Sequence, residues 1–215
     1  MATYKPGTAG EFNGKIGNLV ISKWKKIRIG RATPRKTHKK ITLKALTQRT
    51  KFKANSVLLR SFLDVIQVGF PADKSNVYGW SKAVKCNAQY VVESKNNEYT
   101  VALNKMKLSM GMLDQVIAPE MSYADNELYI DWLNPDHLNL GAEEDDRIQL
   151  CIYRPHLERK KVEFKKNIAW RKATFFKYQL KGLNYREPVY IWIFLVSANG
   201  KKVSDSQYVG RIYGV

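Results

Sequence analysis

Val189-Tyr-Ile-Trp-Ile-Phe-Leu-Val196, running on into Ser197-Ala-Asn-Gly-Lys201, is the stretch that decides the fold. Its eight apolar residues form the longest such run in the chain, far short of the roughly 20 that a membrane-spanning helix needs. In an extended backbone the run is apolar on both faces, which suits a central strand of a sandwich. Asn199-Gly200 is a hairpin turn signal, so residues 203–212 are expected to return beside it.

Upstream of that strand the period stays at two. Leu128, Ile130 and Trp132 alternate with Tyr129 and Asp131 after a turn at Asp125-Asn126. Ile148, Leu150 and Ile152 alternate with Gln149 and Cys151, and Phe175, Phe176, Tyr178 and Leu180 lie in a further strand. Strands recurring at this spacing over the last hundred or so residues read as a seven-stranded β-sandwich.

The period changes to helical before residue 110. Thr42 is a plausible N-cap. Leu43, Leu46, Phe52, Val57, Leu58, Phe62, Val65 and Ile66 approximate one apolar helical face, with Pro71 closing the region. A second helix is expected from Val77 to Val92, with Trp80, Val84, Ala88 and Val91 as its apolar stripe, and strand chemistry returns near Tyr99. Before Thr42, Gly7, Gly10, Gly14 and Gly17 punctuate the chain, and residues 18–23 and 27–31 read as a hairpin turning near Trp24-Lys25-Lys26. A lone hairpin is marginal in water and needs something to dock on. Residues 31–41 carry almost no apolar side chains and read as a flexible basic arm.

The expected fold is therefore α+β: an N-terminal β-hairpin plus two helices, followed by a C-terminal seven-stranded immunoglobulin-like sandwich. The expected parts are a basic hairpin and arm over 1–41, a helical region over 42–110 and the sandwich over 111–215.

Charge is distributed unevenly. The net charge is +18. Residues 1–60 hold 16 Lys/Arg against the single acid Glu11, residues 61–150 hold 7 basic against 14 acidic, and residues 151–215 hold 14 against 4. A field this positive attracts polyanions or acidic protein faces. The residues expected to engage such a partner are Lys23, Trp24, Lys25, Lys26, Arg28 and Arg31 on or beside the hairpin, Arg35, Lys36, Lys39 and Lys40 in the arm, and Lys44, Arg49, Lys51 and Lys53 at the start of the long helix. Neutralising several phosphates releases counterions, so sequence-nonspecific nucleic-acid binding is the leading expectation, with Trp24 available to stack or wedge. The alternative is a structural protein whose hairpin and arm dock on a neighbouring subunit. Asp114 to Asp146 holds ten acids and no Lys or Arg, so pairing with this segment, within a chain or head-to-tail between copies, is a further use for the same cations.

Other chemistries find little footing. Glu143-Glu-Asp-Asp146 is a consecutive acidic run without the spaced, converging oxygens a hard cation wants. His38, His137 and His156 have no metal-ligand spacing to one another or to Cys86 and Cys151. There is no Walker-type phosphate loop and no dinucleotide fingerprint. The expectation is no enzyme, no cofactor and no metal. The two distant cysteines fit a reducing compartment, and Met1-Ala-Thr-Tyr-Lys-Pro6 opens without an apolar leader, so a cytoplasmic location, or a particle assembled there, is expected.

Two resemblances add to this reading. Glu127-Leu-Tyr-Ile-Asp-Trp132 and Tyr190 to Gly200 with Ser204-Asp-Ser206 are similar to strands of fibronectin type III and immunoglobulin-like sandwiches, with Trp132 as the core tryptophan. Gly14-Lys-Ile-Gly-Asn18, Trp24-Lys25, Gln48-Arg-Thr-Lys-Phe52, Leu108-Ser-Met-Gly-Met-Leu113 and Ser197-Ala-Asn-Gly-Lys201 resemble, in order, the pattern of an uncharacterised family of about 200-residue Bacteroidota proteins. The Gly that often follows the Trp-Lys pair there is Lys26 here. The first resemblance implies an interaction or spacer module, and the second implies no activity.

Overall fold

The computed structural model describes residues 2–3, 12–24, 27–34, 41–71, 79–93, 99–138, 142–157, 161–180 and 187–213. The chain divides into two compact units, residues 1–42 and residues 43–215.

The first unit is a small antiparallel sheet. Its strands are β1 (Ala2–Thr3), β2 (Gly14–Ile16), β3 (Leu19–Trp24) and β4 (Ile27–Ala32), in the order β1-β4-β3-β2. The hairpin read from sequence is β3–β4, and the glycine-punctuated start adds two short strands to it. Gly17 sits at φ +54° in the turn between β2 and β3, a conformation glycine adopts without steric cost. Residues 25–26, where the hairpin turns, lie outside the described residues, as does the arm over 35–40.

The second unit has three layers. A three-stranded sheet, β11-β8-β7, combines β7 (Ile117–Ala124), β8 (Glu127–Leu133) and β11 (Phe175–Gln179). A four-stranded sheet, β10-β9-β12-β13, combines β9 (Arg147–Tyr153), β10 (Val162–Trp170), β12 (Val189–Val196) and β13 (Gln207–Ile212). Every pairing in both is antiparallel, which gives the seven strands of the expected sandwich. Leu128, Ile130, Trp132, Ile148, Leu150, Ile152, Ile191 and Ile193 meet in the core between the sheets. The β7–β8 turn places Asp125 and Asn126 both at positive φ, the geometry that matches strand twist in a two-residue hairpin.

The third layer is helical. It comprises α1 (Leu43–Arg60), α2 (Leu63–Gly69) and α3 (Gly79–Asn87), with a short hairpin of β5 (Val91–Glu93) and β6 (Tyr99–Val101). Leu59, Phe62, Val65, Ile66, Ala83 and Val84 pack on Cys151, Tyr153, Trp192 and Phe194 of the four-stranded sheet. This explains the double-faced apolar run. Ile191, Ile193 and Leu195 of β12 point into the sandwich, while Trp192, Phe194 and Val196 point at the helices.

Residues 43–110 belong to the same compact unit as the sandwich and cover one of its sheets. Two expectations are corrected. The apolar face of the long helix is not the buried one throughout: α1 buries Asn55 and Leu59, while Leu43, Leu46, Phe52 and Val57 stay exposed, and the chain breaks at Ser61–Phe62 before α2. The second helix stops at Asn87, followed by a 3-10 turn over Ala88–Tyr90 and then β5. Its end is fixed by the buried Asn87 side chain, whose amide donates to the carbonyls of Ala83 and Lys107 and whose oxygen accepts from the Lys107 N–H.

Residues 107–116 form a strap stitched across this body. The Leu108 N–H donates to Ser206 Oγ, Ser109 Oγ donates to the Ser204 carbonyl, and the Met110 N–H donates to the Gly69 carbonyl. The Gly111 N–H donates to Asp205 Oδ1 and the Leu113 N–H to the Val203 carbonyl. A Cβ on Gly111 would collide with the Val203 carbonyl oxygen, so only glycine fits this approach.

Candidate functional site

The cations singled out in the sequence fall into three groups. Lys23, Arg28 and Arg31 lie on β3 and β4, with Lys15 on β2. Trp24 ends β3 opposite Ile27, and its side chain lies outside the described set. Lys25, Lys26, Arg35, Lys36, Lys39 and Lys40 also lie outside the described residues. Lys44, Arg49, Lys51 and Lys53 lie on α1.

Strand register sorts the first group by face, since residues directly opposite in an antiparallel pair project to the same side. Lys23 is opposite Arg28, Leu19 opposite Ala32, and Ile21 opposite both Gly30 and Gly14. Ile16 is opposite Leu19. One face therefore carries Ile16, Leu19, Ile21, Lys23 and Arg28. The other carries Lys15, Val20, Ile27, Ile29 and Arg31. Both faces mix cations with large aliphatic residues. None of the described residues between 12 and 34 is buried, and Ile16, Leu19 and Ile27 are each close to half exposed.

On α1 the cations differ in use. Lys51 places its ammonium 5.4 Å from the Tyr99 ring centre, so it packs the helix onto β6 rather than standing open to a partner. Lys44, Arg49 and Lys53 are exposed beside Leu46, Phe52 and Val57.

The acidic segment has two fates. Asp146 is buried against the equally buried Arg171: its Oδ2 accepts from Arg171 Nη2 at 3.2 Å and from the Glu143 N–H at 3.0 Å. Arg171 Nη2 also donates to the Asp114 carbonyl, and its own carbonyl accepts from Trp132 Nε1. The run Glu143 to Asp146 thus ends in a buried ion pair that ties three loops to the core tryptophan. No group of three or more His, Cys, Asp or Glu among the described residues could hold a metal ion. Glu120, Asp125, Glu127 and Asp131 instead lie on or beside the outer face of the three-stranded sheet.

His156 Nε2 lies 3.1 Å from Glu187 Oε2, His137 is exposed on a loop, and His38 lies outside the described residues. Cys151 is buried, and burial pushes its thiol pKa far up; Cys86 is half-buried and pushed up by the same desolvation.

Sequence reasoning missed one concavity. Phe70, Met110, Met112, Leu113, Lys85 and Lys202 contribute to a cleft of about 1090 Å³ beside the strap, at the size of a small-molecule site. Met112, which lines this cleft, is 97% exposed. Only the motif at 108–113 hinted at it.

A family of unknown function, DUF6266, matches residues 11–210. No curated protein matches the chain. Among solved structures, the chain is similar to the FN1–FN3 domains of chicken CNTN1, at 8% identity and TM-score 0.36, over 54% of this chain and 34% of that one. It is also similar to pectate lyase Pel3 from Pectobacterium carotovorum, at 15% identity and TM-score 0.27, over 47% of this chain and 28% of that one. The chain thus spans about a third or less of each of these structures. No helix among the described residues is long and apolar enough to cross a membrane.

Proposed function

The chain belongs to the DUF6266 family of unknown function, and on that premise we propose that it is a non-enzymatic assembly protein whose N-terminal sheet docks on a neighbouring protein subunit. One observation carries this reading. The first unit is a sheet without a buried residue among those described, and it exposes aliphatic side chains on both faces. Sheets this small need a covered apolar face to be stable. A phosphate-binding surface would need only the cations; Ile16, Leu19 and Ile27 need cover as well.

Amide hydrogen exchange of residues 12–34 tests the reading. Fast exchange in the dilute protein and protection in its assembled state are expected. Full protection of these amides in the dilute, monomeric protein would overturn it.

A second reading, sequence-nonspecific nucleic-acid binding, is favoured by the presence of cations on both faces of the sheet. It requires duplex affinity to fall steeply as salt rises and to weaken on replacing Lys23 and Arg28. Binding that barely responds to salt would remove it. A cytoplasmic setting, where the two thiols stay reduced, fits either reading.

A further inference from the structure

The outer face of the three-stranded sheet carries an arrangement that the fold does not use. Across β7, β8 and β11, Glu120 stands opposite Asp131, and Asp131 stands opposite Phe175. Toward one end of the same face lie Ile117 and Leu133, also opposite each other, and toward the other end lies Glu127. The alternate residues Met121, Leu128, Ile130 and Phe176 face the sandwich core, so these six face outward. Leu133 is 65% and Phe175 58% exposed.

Two carboxylates directly opposite on neighbouring strands repel each other. Neither Glu120 nor Asp131 is ion-paired among the described residues. Lys177, the only cation in these three strands, sits over the Tyr129 ring at 5.0 Å. The surface is therefore a carboxylate pair flanked by exposed apolar side chains. The N-terminal sheet presents the complement: Lys23 opposite Arg28, flanked on that face by Ile16, Leu19 and Ile21.

We propose that the outer face of the three-stranded sheet receives the N-terminal sheet of a second copy of this chain. The inference rests on the reading of that sheet as a docking element and names its partner. Contact sets cations against the two carboxylates, removing the repulsion between Glu120 and Asp131, and it covers aliphatic surface on both sides. The two patches differ, so the interface is heterologous. Each added copy brings one further basic sheet and one further acidic face, so association continues until a ring closes or a filament grows. Surface charges of opposite sign make it salt-sensitive.

Sedimentation velocity of the full chain over a range of concentration and salt tests this. At low salt the average mass should rise with concentration, and it should fall at high salt. The head variant Lys23→Glu/Arg28→Glu and the tail variant Glu120→Lys/Asp131→Lys should each remain monomeric. An equal mixture should associate again, because each variant carries the charge the other lacks. Leu133→Asp is a second tail variant, at an exposed position, and should weaken association at least tenfold. Tail variants that associate like the wild type while the head variant does not would overturn the inference and leave the docking function standing with another partner. A wild-type chain that stays monomeric at every concentration and salt would overturn it as well. The hydrogen exchange of residues 12–34 then decides whether the docking function falls with it.

Discussion

Phe62, just before α2, meets Trp192 of β12 edge to face, with ring centres 6.1 Å apart and planes at 83°. The same phenyl ring lies 5.0 Å from the Tyr153 ring of β9. Aromatic pairs favour such tilted geometries because the positive edge of one ring meets the negative face of the other. This contact joins the helical layer to the four-stranded sheet at its two central strands. Phe62→Ala should therefore cost about 3–5 kcal/mol, read as a drop in the denaturant midpoint. The loss should be felt across the second unit at once, because the helices and the sheets share one core. Separate unfolding of helices and sheets in that variant would contradict the three-layer arrangement.

The Arg171–Asp146 pair makes a second prediction. Both side chains are about 1% exposed. Removing one partner leaves an uncompensated buried charge, so Arg171→Met or Asp146→Leu alone should cost about 3–5 kcal/mol. The double replacement should cost much less than the sum. Additive losses in a double-mutant cycle would show that the two charges do not act as a pair.

Glu120 and Asp131 give a prediction of opposite sign. Relieving like charges directly across two strands should stabilise, so Glu120→Lys should raise the unfolding free energy of the monomer by about 0.2–1 kcal/mol. The gain should shrink at high salt, since both positions are exposed. A loss of stability would mean that Glu120 has a role within the fold.

Alkaline pH should destabilise the protein. Burial raises the thiol pKa of Cys151 and Cys86 and the phenol pKa of Tyr153 and Tyr208 above their usual 9.0 and 10.0. The native state holds these protons after the unfolded chain has lost them, so the stabilisation is complete below the unfolded pKa values and declines above them. The denaturant midpoint should fall as pH rises through 9 and 10. Cys151→Ala should reduce that fall. In the native protein an aromatic disulfide reagent at mildly alkaline pH should label Cys86 slowly and Cys151 only on unfolding. Rapid labelling of both thiols would contradict the burial of Cys151.

Much of this architecture was legible in the chain. Leu128, Ile130 and Trp132 alternate with exposed partners because β8 has one face on a core and one outward, and period-two alternation records that directly. Asp125-Asn126 marked its turn through tolerance of positive φ. The helical layer was harder to place. Leu43, Leu46 and Val57 made an apolar stripe on α1, yet the helix buries Asn55, whose amide donates to the Val84 carbonyl. A polar residue whose amide is taken up by a distant backbone carbonyl has no local signature.

The sequence by itself determined the hairpin of β3 and β4, the strands β8, β9 and β11, the turn at Asp125-Asn126, the basic–acidic–basic succession and the run at 189–196, because period, turn chemistry and charge are local properties of the chain. Only the tertiary structure decided that α1 to α3 cover the outer side of the four-stranded sheet and so account for the apolarity of Trp192 and Phe194. Only cross-strand register set Glu120 opposite Asp131 and Lys23 opposite Arg28. Register depends on which strands pair and where bulges fall, as between Ile117 and Glu120, and a shift of one residue sends every side chain to the other face.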